Sequence, residues 1–157
     1  MMGCIEKLID KSWAILDVEY IQSSKNHKCI RKLYILAKNG YSDMEMEFYP
    51  CTRYKYLEPK YKRSFQFCRR NIHNLSYHPW KFSPLCSQAV PKLNEFIVDN
   101  DLELILYKGG TIERDLCEDL YIESMNIECF GDLENAYSHD PRKEVHFYYD
   151  ELIRYLC

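Results

Sequence analysis

The run SWAILDVEYI, residues 12–21, has the β-branched and apolar composition of a buried strand, yet Asp17 and Glu19 stand in its middle. Strand side chains alternate between faces, so these two carboxylates share one face. Like charges held side by side in a core strand repel each other and lose hydration, a cost that requires compensation. A divalent cation is the usual compensation, and a strand end opening onto solvent is the other. Any fold for this chain must bury ILDVEYI among apolar neighbours and still bring a cation or water to that one face.

The rest of the chain supplies the neighbours. Residues 29–37, CIRKLYILA, alternate as a second strand, Lys38-Asn39-Gly40 marks a turn, and residues 44–49, MEMEFY, alternate as a third strand. Residues 60–75 contain no glycine or proline and predict a helix, whereas residues 76–85 hold two prolines and predict a loop. Residues 87–98 predict a helix with Pro91 in its first turn and Val90, Leu93, Phe96 and Ile97 along one face. A short apolar strand follows over 102–107, then a helix over 111–120 with Thr111 as its N-cap. Residues 126–130 read as a further strand, with a short helix to Tyr137. Pro141 opens a last helix over 142–156, where Val145, Tyr148 or Tyr149, Leu152 and Leu156 repeat at helical spacing. The order β-β-β-α-β-α-β-α predicts an α/β fold with one mixed sheet flanked by helices. A length of 157 residues predicts a single domain, 1–157, with a basic, Cys/His-containing insert at about 51–86.

Composition narrows the function classes. At 46% hydrophobic and 15% aromatic, the chain is too rich in core-forming residues to be disordered. No run approaches the roughly 20 apolar residues of a membrane span, and Met1 to Lys11 carry Glu6 and Asp10 in place of a signal-peptide apolar stretch. An intracellular protein without membrane association is expected. The eight cysteines (4, 29, 51, 68, 86, 117, 129 and 157) are spread rather than clustered as in a disulfide scaffold. Most of them read as small buried hydrophobes. The net charge of −3 conceals an asymmetry: residues 51–81 hold eight Lys or Arg and one acid, whereas residues 95–157 hold sixteen acids and five Lys or Arg. A basic, aromatic stretch beside an acidic half suits a protein that grips a polyanion and holds cations near it.

Two further motifs carry chemistry. In YKGGTIERDL a strand ends, two glycines turn the chain, and Glu113 enters the first turn of a helix. Functional groups collect at such strand ends, although a first-turn glutamate also complements the helix dipole. In SHDPRKEV, His139 precedes the proline of the last helix and Glu144 lies five residues after it. Taken in order, an acidic pair on the first strand, a carboxylate after the fourth and a histidine five before an acid at the last helix resemble the DEDDh exonucleases, from Trp13 to Leu156. The resemblance implies an RNase H-like fold in which four carboxylates hold two divalent ions. It assigns Asp17 and Glu19 to the first motif, Glu113 to the second, and Glu144 with His139 to the third, with Mg²⁺ or Mn²⁺ as cofactor. Hard cations take oxygen ligands, two of them activate water and stabilise a leaving oxygen, and a histidine accepts the water's proton near neutral pH. The chain departs from the family pattern in having Glu113 and Glu144 where aspartate is usual, and Lys108-Gly109-Gly110 where a His-Asn pair is usual. The resemblance therefore implies a metal-dependent 3′-5′ exonuclease or, like the similar but altered Maelstrom domain, a degenerate nuclease fold kept as a nucleic-acid-binding or adaptor protein.

The middle segment is the expected grip. Arg53, Lys55, Lys60, Lys62, Arg63, Arg69 and Arg70 are expected to contact phosphates of RNA or DNA, single-stranded or with a free 3′ end. Tyr54, Tyr56, Tyr61, Tyr77 and Trp80 are candidates to stack on bases. The same segment places Cys51, Cys68, His73 and Cys86, with His78 as substitute, as a quartet for a structural zinc, beside the alternative of buried cysteines and surface histidines.

Overall fold

The computed structural model describes residues 3–130 and 139–156, apart from the side chain of Cys129. Five strands form one mixed sheet: β1 (Trp13–Ser24), β2 (His27–Ala37), β3 (Asp43–Glu47), β4 (Leu104–Tyr107) and β5 (Glu123–Asn126). The spatial order is β3-β2-β1-β4-β5. β1 to β3 form an antiparallel meander, and β4 and β5 add in parallel on the other side of β1. The helices are α1 (Cys4–Asp10), α2 (Pro59–Cys68), α3 (Ala89–Asp99), α4 (Ile112–Asp119) and α5 (Pro141–Leu156). This is the α/β arrangement, a mixed sheet flanked by helices, that the pattern of runs predicts.

Alternation along β1 assigns the two faces. Ala14, Leu16 and Val18 pack with Leu33 and Ile35 against Leu93 and Phe96 of α3 and Leu116 of α4. Trp13 and Ile15 pack on the opposite face with Leu104, Leu106 and Val145, Tyr148 and Leu152 of α5. Asp17 and Glu19 continue this second row. Beyond them Ile21 joins Tyr61 and Phe65 of α2, with Leu57 and Tyr77, in a separate cluster. The acidic pair thus falls in the interval between the α5 core and the α2 core.

Two irregularities open that interval. β4 pairs with β1 only as far as Ile15↔Leu106, so among the described residues the β1 edge beyond it has no strand partner on that side. In the β1–β2 ladder Glu19 pairs with Lys32 but Tyr20 pairs with Ile30, making Arg31 the extra residue of a bulge. Bulges bend strands and re-aim side chains. Here the bulge directs the buried Arg31 side chain to the loop carbonyl of Ser76 (2.9 Å) and to Glu47 (3.4 Å).

Several boundaries differ from those expected. Residues 4–10 form α1, a short helix with only Leu8 buried, too short for a period to show in the sequence. The fifth strand is Glu123–Asn126, and Ile127–Phe130 is a 3-10 turn. The polar ESMN run is made a strand by its parallel pairing with β4, not by its own alternation. β3 ends at Glu47, opposite Lys32 and next to the irregularity at Arg31, and Phe48, on the same face as Met44 and Met46, is fully buried in the core. Helix α2 ends at Cys68, continues as a π-helical turn over Arg69–His73, and stops at Asn74, whose φ of 54° is the left-handed conformation that asparagine tolerates. The expected short helix to Tyr137 lies outside the described residues. Only Cys29 and Cys117 are buried among the cysteines whose side chains are described, fewer than expected. Among the described residues no helix is long and apolar enough to cross a membrane.

Candidate active site

The last helix delivers the third acid to the acidic pair. Asp17, Glu19 and Glu144 each offer a carboxylate oxygen, and these oxygens lie within 4.8 Å of one another. The position of Glu144 is held from several sides. Asp140 Oδ2 accepts the Lys143 N–H (3.2 Å), capping the first turn of α5, while Asp140 Oδ1 accepts from Lys32 Nζ (3.0 Å) on β2. Arg142 Nη1 reaches Glu45 Oε2 of β3 (3.2 Å). The start of α5 is therefore fastened to two strands, one residue pair away from Glu19.

Glu113 arrives from α4 but in a different manner. It is 3% exposed, and its Oε1 accepts the Val18 N–H at 3.1 Å. That N–H lies on the β1 edge left unpaired where β4 ends, and a buried backbone donor requires a partner. Glu113 thus stands beside the trio and feels its charge, with one oxygen committed to the backbone. Asp17 Oδ2 and Glu113 Oε2 are buried with no hydrogen-bond partner among the described residues. Two acceptor oxygens left in that condition suit a cation.

A cleft of about 430 Å³ opens over this site, lined by Asp17, Lys108, Gly109, Glu128, His139 and Glu144 among others. His139 Nδ1 lies 4.0 Å from Glu144 Oε1, with about half of its side chain exposed. Gly109 has φ +77°, which turns the chain from β4 into α4, and a Cβ there would stand 3.7 Å from Glu128 Oε1. Glu128 was not foreseen. It follows the strand end on a turn held by Asn126, whose Oδ1 accepts the Glu128 N–H (3.0 Å), and no local motif marks it.

Electrostatics reflects the crowding. Burial first, then Glu144, Glu19 and Glu113, push the Asp17 carboxyl well above the usual carboxylate range. Burial, then Glu144, Glu113 and Asp140, push Glu19 up to about 8 against the pull of Lys32. Burial pushes Glu113 up to about 7, although backbone N–H groups favour its charged form. A carboxyl with a raised folded-state pKa binds more protons folded than unfolded, so stability is present at low pH and lost as pH rises through the folded pKa. In EDTA the melting temperature should fall from about pH 4.5, where Glu113 and Glu19 ionise in the unfolded chain, to about pH 8, where both are ionised in the folded one, and added Mn²⁺ should flatten the fall. Thermal unfolding followed by circular dichroism measures this; a melting temperature that rises over that range in EDTA would contradict the crowding.

The cationic segment lies next to Glu19. A groove there is lined by Glu19, Ile21, Ser64, Phe65, Cys68 and His73, so α2 forms its other wall. Arg53, Lys55, Lys60, Arg63, Arg69 and Arg70 are exposed and Lys62 is half-buried, its Nζ 5.4 Å from the Tyr54 ring centre. Of the expected stacking residues, Tyr61 and Tyr77 are core residues: Tyr61 lies with Phe65 on the inner face of α2, and Tyr77 packs edge-on against Phe65. Tyr54 is half-buried, whereas Tyr56 and Trp80 are exposed, as are Phe67 and Phe82.

The expected zinc quartet does not assemble. Among the described residues Cys68 and His73 belong to no compact ligand group. Both line the Glu19 groove, and His73 Nδ1 accepts the Leu75 N–H (2.9 Å). His78 packs its ring on Tyr77 and Tyr49. Cys51 instead gathers with His27 and Cys29, which the sequence reading passed over.

The chain matches no protein-family model, and no curated protein matches its sequence.

Proposed function

We propose that this chain is a metal-dependent 3′-5′ exonuclease of RNase H-like fold, acting on RNA or DNA phosphodiesters. The observation that carries the reading is the convergence of Asp17, Glu19 and Glu144, with Asp17 Oδ2 and the neighbouring Glu113 Oε2 buried and without a hydrogen-bond partner among the described residues, between an acidic cleft and the groove that α2 walls. The antiparallel β1–β3 meander followed by parallel β4 and β5 supports the fold, and the resemblance to the DEDDh pattern supports the direction of attack.

An all-oxygen donor set fits hard divalent cations, so Asp17, Glu19 and Glu144, with the free Oε2 of Glu113, would hold Mg²⁺ or Mn²⁺. Bound there, such ions supply an activated water and charge stabilisation at the leaving oxygen. His139 stands at the mouth of the cleft with Nδ1 toward Glu144, which leaves Nε2 to take a proton from the attacking water. Asp140 O accepts the Glu144 N–H (2.9 Å) and the Asp140 side chain is held by Lys32, so that the Glu144 carboxylate stays aimed at Asp17. Arg63, Arg69 and Arg70 on the α2 side draw the phosphate backbone toward Glu19.

One observation favours a second reading, a nucleic-acid-binding protein without turnover: Glu113 Oε1 serves the Val18 N–H, and so a carboxylate of the motif acts partly as a backbone cap. End-labelled RNA and DNA incubated with Mg²⁺ or Mn²⁺ decide between them. The exonuclease shortens the strands from the 3′ end and is silent in EDTA. Binding with no shortening under any metal leaves the second reading.

A further inference from the structure

The irregular segments between β3 and α3 are gathered at one point. Tyr49 and Leu85 form an isolated parallel bridge, with the Tyr49 N–H donating to Pro84 O (2.8 Å) and the Cys86 N–H donating to Tyr49 O (2.9 Å). Cys51, two residues after Tyr49, and Cys86, one after Leu85, are thereby brought to the same place. Tyr77 O–H donates to Thr52 O and fastens the loop just after Cys51. At the start of β2, His27 and Cys29 alternate onto the face these loops cover.

The ligand atoms meet there. His27 Nε2 lies 2.8 Å from Cys51 Sγ, and Cys29 Sγ lies 2.9 Å from the same sulfur. All three atoms fall within 4.8 Å of one another. Cys86 Sγ lies outside this trio of atoms, but the Tyr49–Leu85 bridge carries Cys86 beside Cys51, close enough that Cys51 and Cys29 both influence its thiol. A sulfur pair at 2.9 Å is well outside the roughly 2.05 Å of a disulfide bond. Zinc bonds of about 2.3 Å to sulfur and about 2.0–2.1 Å to nitrogen place tetrahedral donors roughly 3.3–3.8 Å apart. The two contacts of Cys51 reach that spacing by opening by less than about an ångström, while Cys86 completes the set by turning its side chain toward the trio.

We propose that His27, Cys29, Cys51 and Cys86 form a structural zinc site. Three thiols and one imidazole suit Zn²⁺ and not the hard cation of the carboxylate cleft. Each thiol gives up its proton on binding, and no open position is left for chemistry. The ion would clamp the hairpin end of the sheet to two loops that have little regular structure of their own. Through Tyr77, which packs on Phe65, it would also steady helix α2.

The test uses the full chain, expressed with zinc in the medium and purified without chelators. Native mass spectrometry should find about one zinc per chain, and exchange to Co²⁺ should give the strong visible bands of a tetrahedral thiolate site. Cys51→Ser should weaken zinc binding beyond the 10–100-fold typical of losing an outer-shell partner, and Cys68→Ser should leave it unchanged. Since Cys51→Ser can also unfold the region, the exposed ligand gives an independent arm. His27→Cys should keep the metal and shift the cobalt spectrum toward stronger sulfur charge transfer. A reduced, folded wild type that takes up no zinc or cobalt overturns the site. So does zinc retained at full affinity by Cys51→Ser, or a cobalt spectrum indifferent to His27→Cys.

Discussion

Asp17→Ala should abolish metal-dependent cleavage while leaving a folded and, without metal, more stable protein. Asp17 stands within ligand distance of Glu19 and Glu144, and its Oδ2 is buried with no hydrogen-bond partner among the described residues. On the proposed reading, removing it would deprive the cations of a central ligand, an effect of several kcal/mol on the transition state, or about a thousandfold or more in rate. The same change removes a carboxyl that Glu19, Glu113 and Glu144 all oppose. Metal-free stability at neutral pH should therefore rise, and the fall in melting temperature with pH should shift. Asp17→Asn, which keeps the shape, should behave alike in both respects. Full wild-type cleavage by purified Asp17→Ala would remove this residue from the site. A loss of activity accompanied by a loss of stability in EDTA would instead mark Asp17 as a structural group.

Charge reversal on α2 and the turn after it should separate binding from catalysis. Arg63 and Arg70 line one groove with Phe67 and Asn71, and both are exposed, so Arg63→Glu with Arg70→Glu should leave the fold intact. If they contact phosphates of a single strand, each contact contributes roughly 0.7 to the slope of log affinity against log salt. The double variant should bind RNA and DNA of many sequences at least about tenfold more weakly near physiological salt, with a slope shallower by roughly 1.4. Asp17→Ala should still bind in EDTA, and the charge-reversed protein should lose binding and cleavage together. Fluorescence anisotropy over a salt series gives both quantities. Equal binding by wild type and double variant at every salt concentration would make this face a solvated surface and move the substrate path elsewhere.

Local periodicity determined much of this molecule. The alternation in SWAILDVEYI gives β1, and its period of two is what sets Asp17 and Glu19 on one face. The turn at Lys38-Asn39-Gly40 gives the meander; Gly40 holds a positive φ and Asn39 Oδ1 accepts the N–H groups of Tyr41 and Ser42. The spacing of Val145, Tyr148 and Leu152 gives the inner face of α5, and Pro141 as its first residue sets the helix start that places Glu144. These features depend on neighbours within a few residues, and a sequence displays such neighbours directly.

The remainder depended on which distant segments meet. Glu113 reads as a fourth ligand or a helix-dipole residue, and only the early end of β4 reveals that the Val18 N–H needs it. Tyr61 and Tyr77 look like Tyr56 and Trp80 in the sequence; packing of α2 onto Ile21 buried the first two and left the others outside. Cys51 found its partners 24 and 22 residues back, at His27 and Cys29, and not at Cys68 or His73 nearer the loop that follows. A ligand cluster is a condition on distances in space, and chain separation carries that information only within one helix turn, strand or tight loop. Beyond that range the sheet register and the bridge between Tyr49 and Leu85 decide which side chains converge.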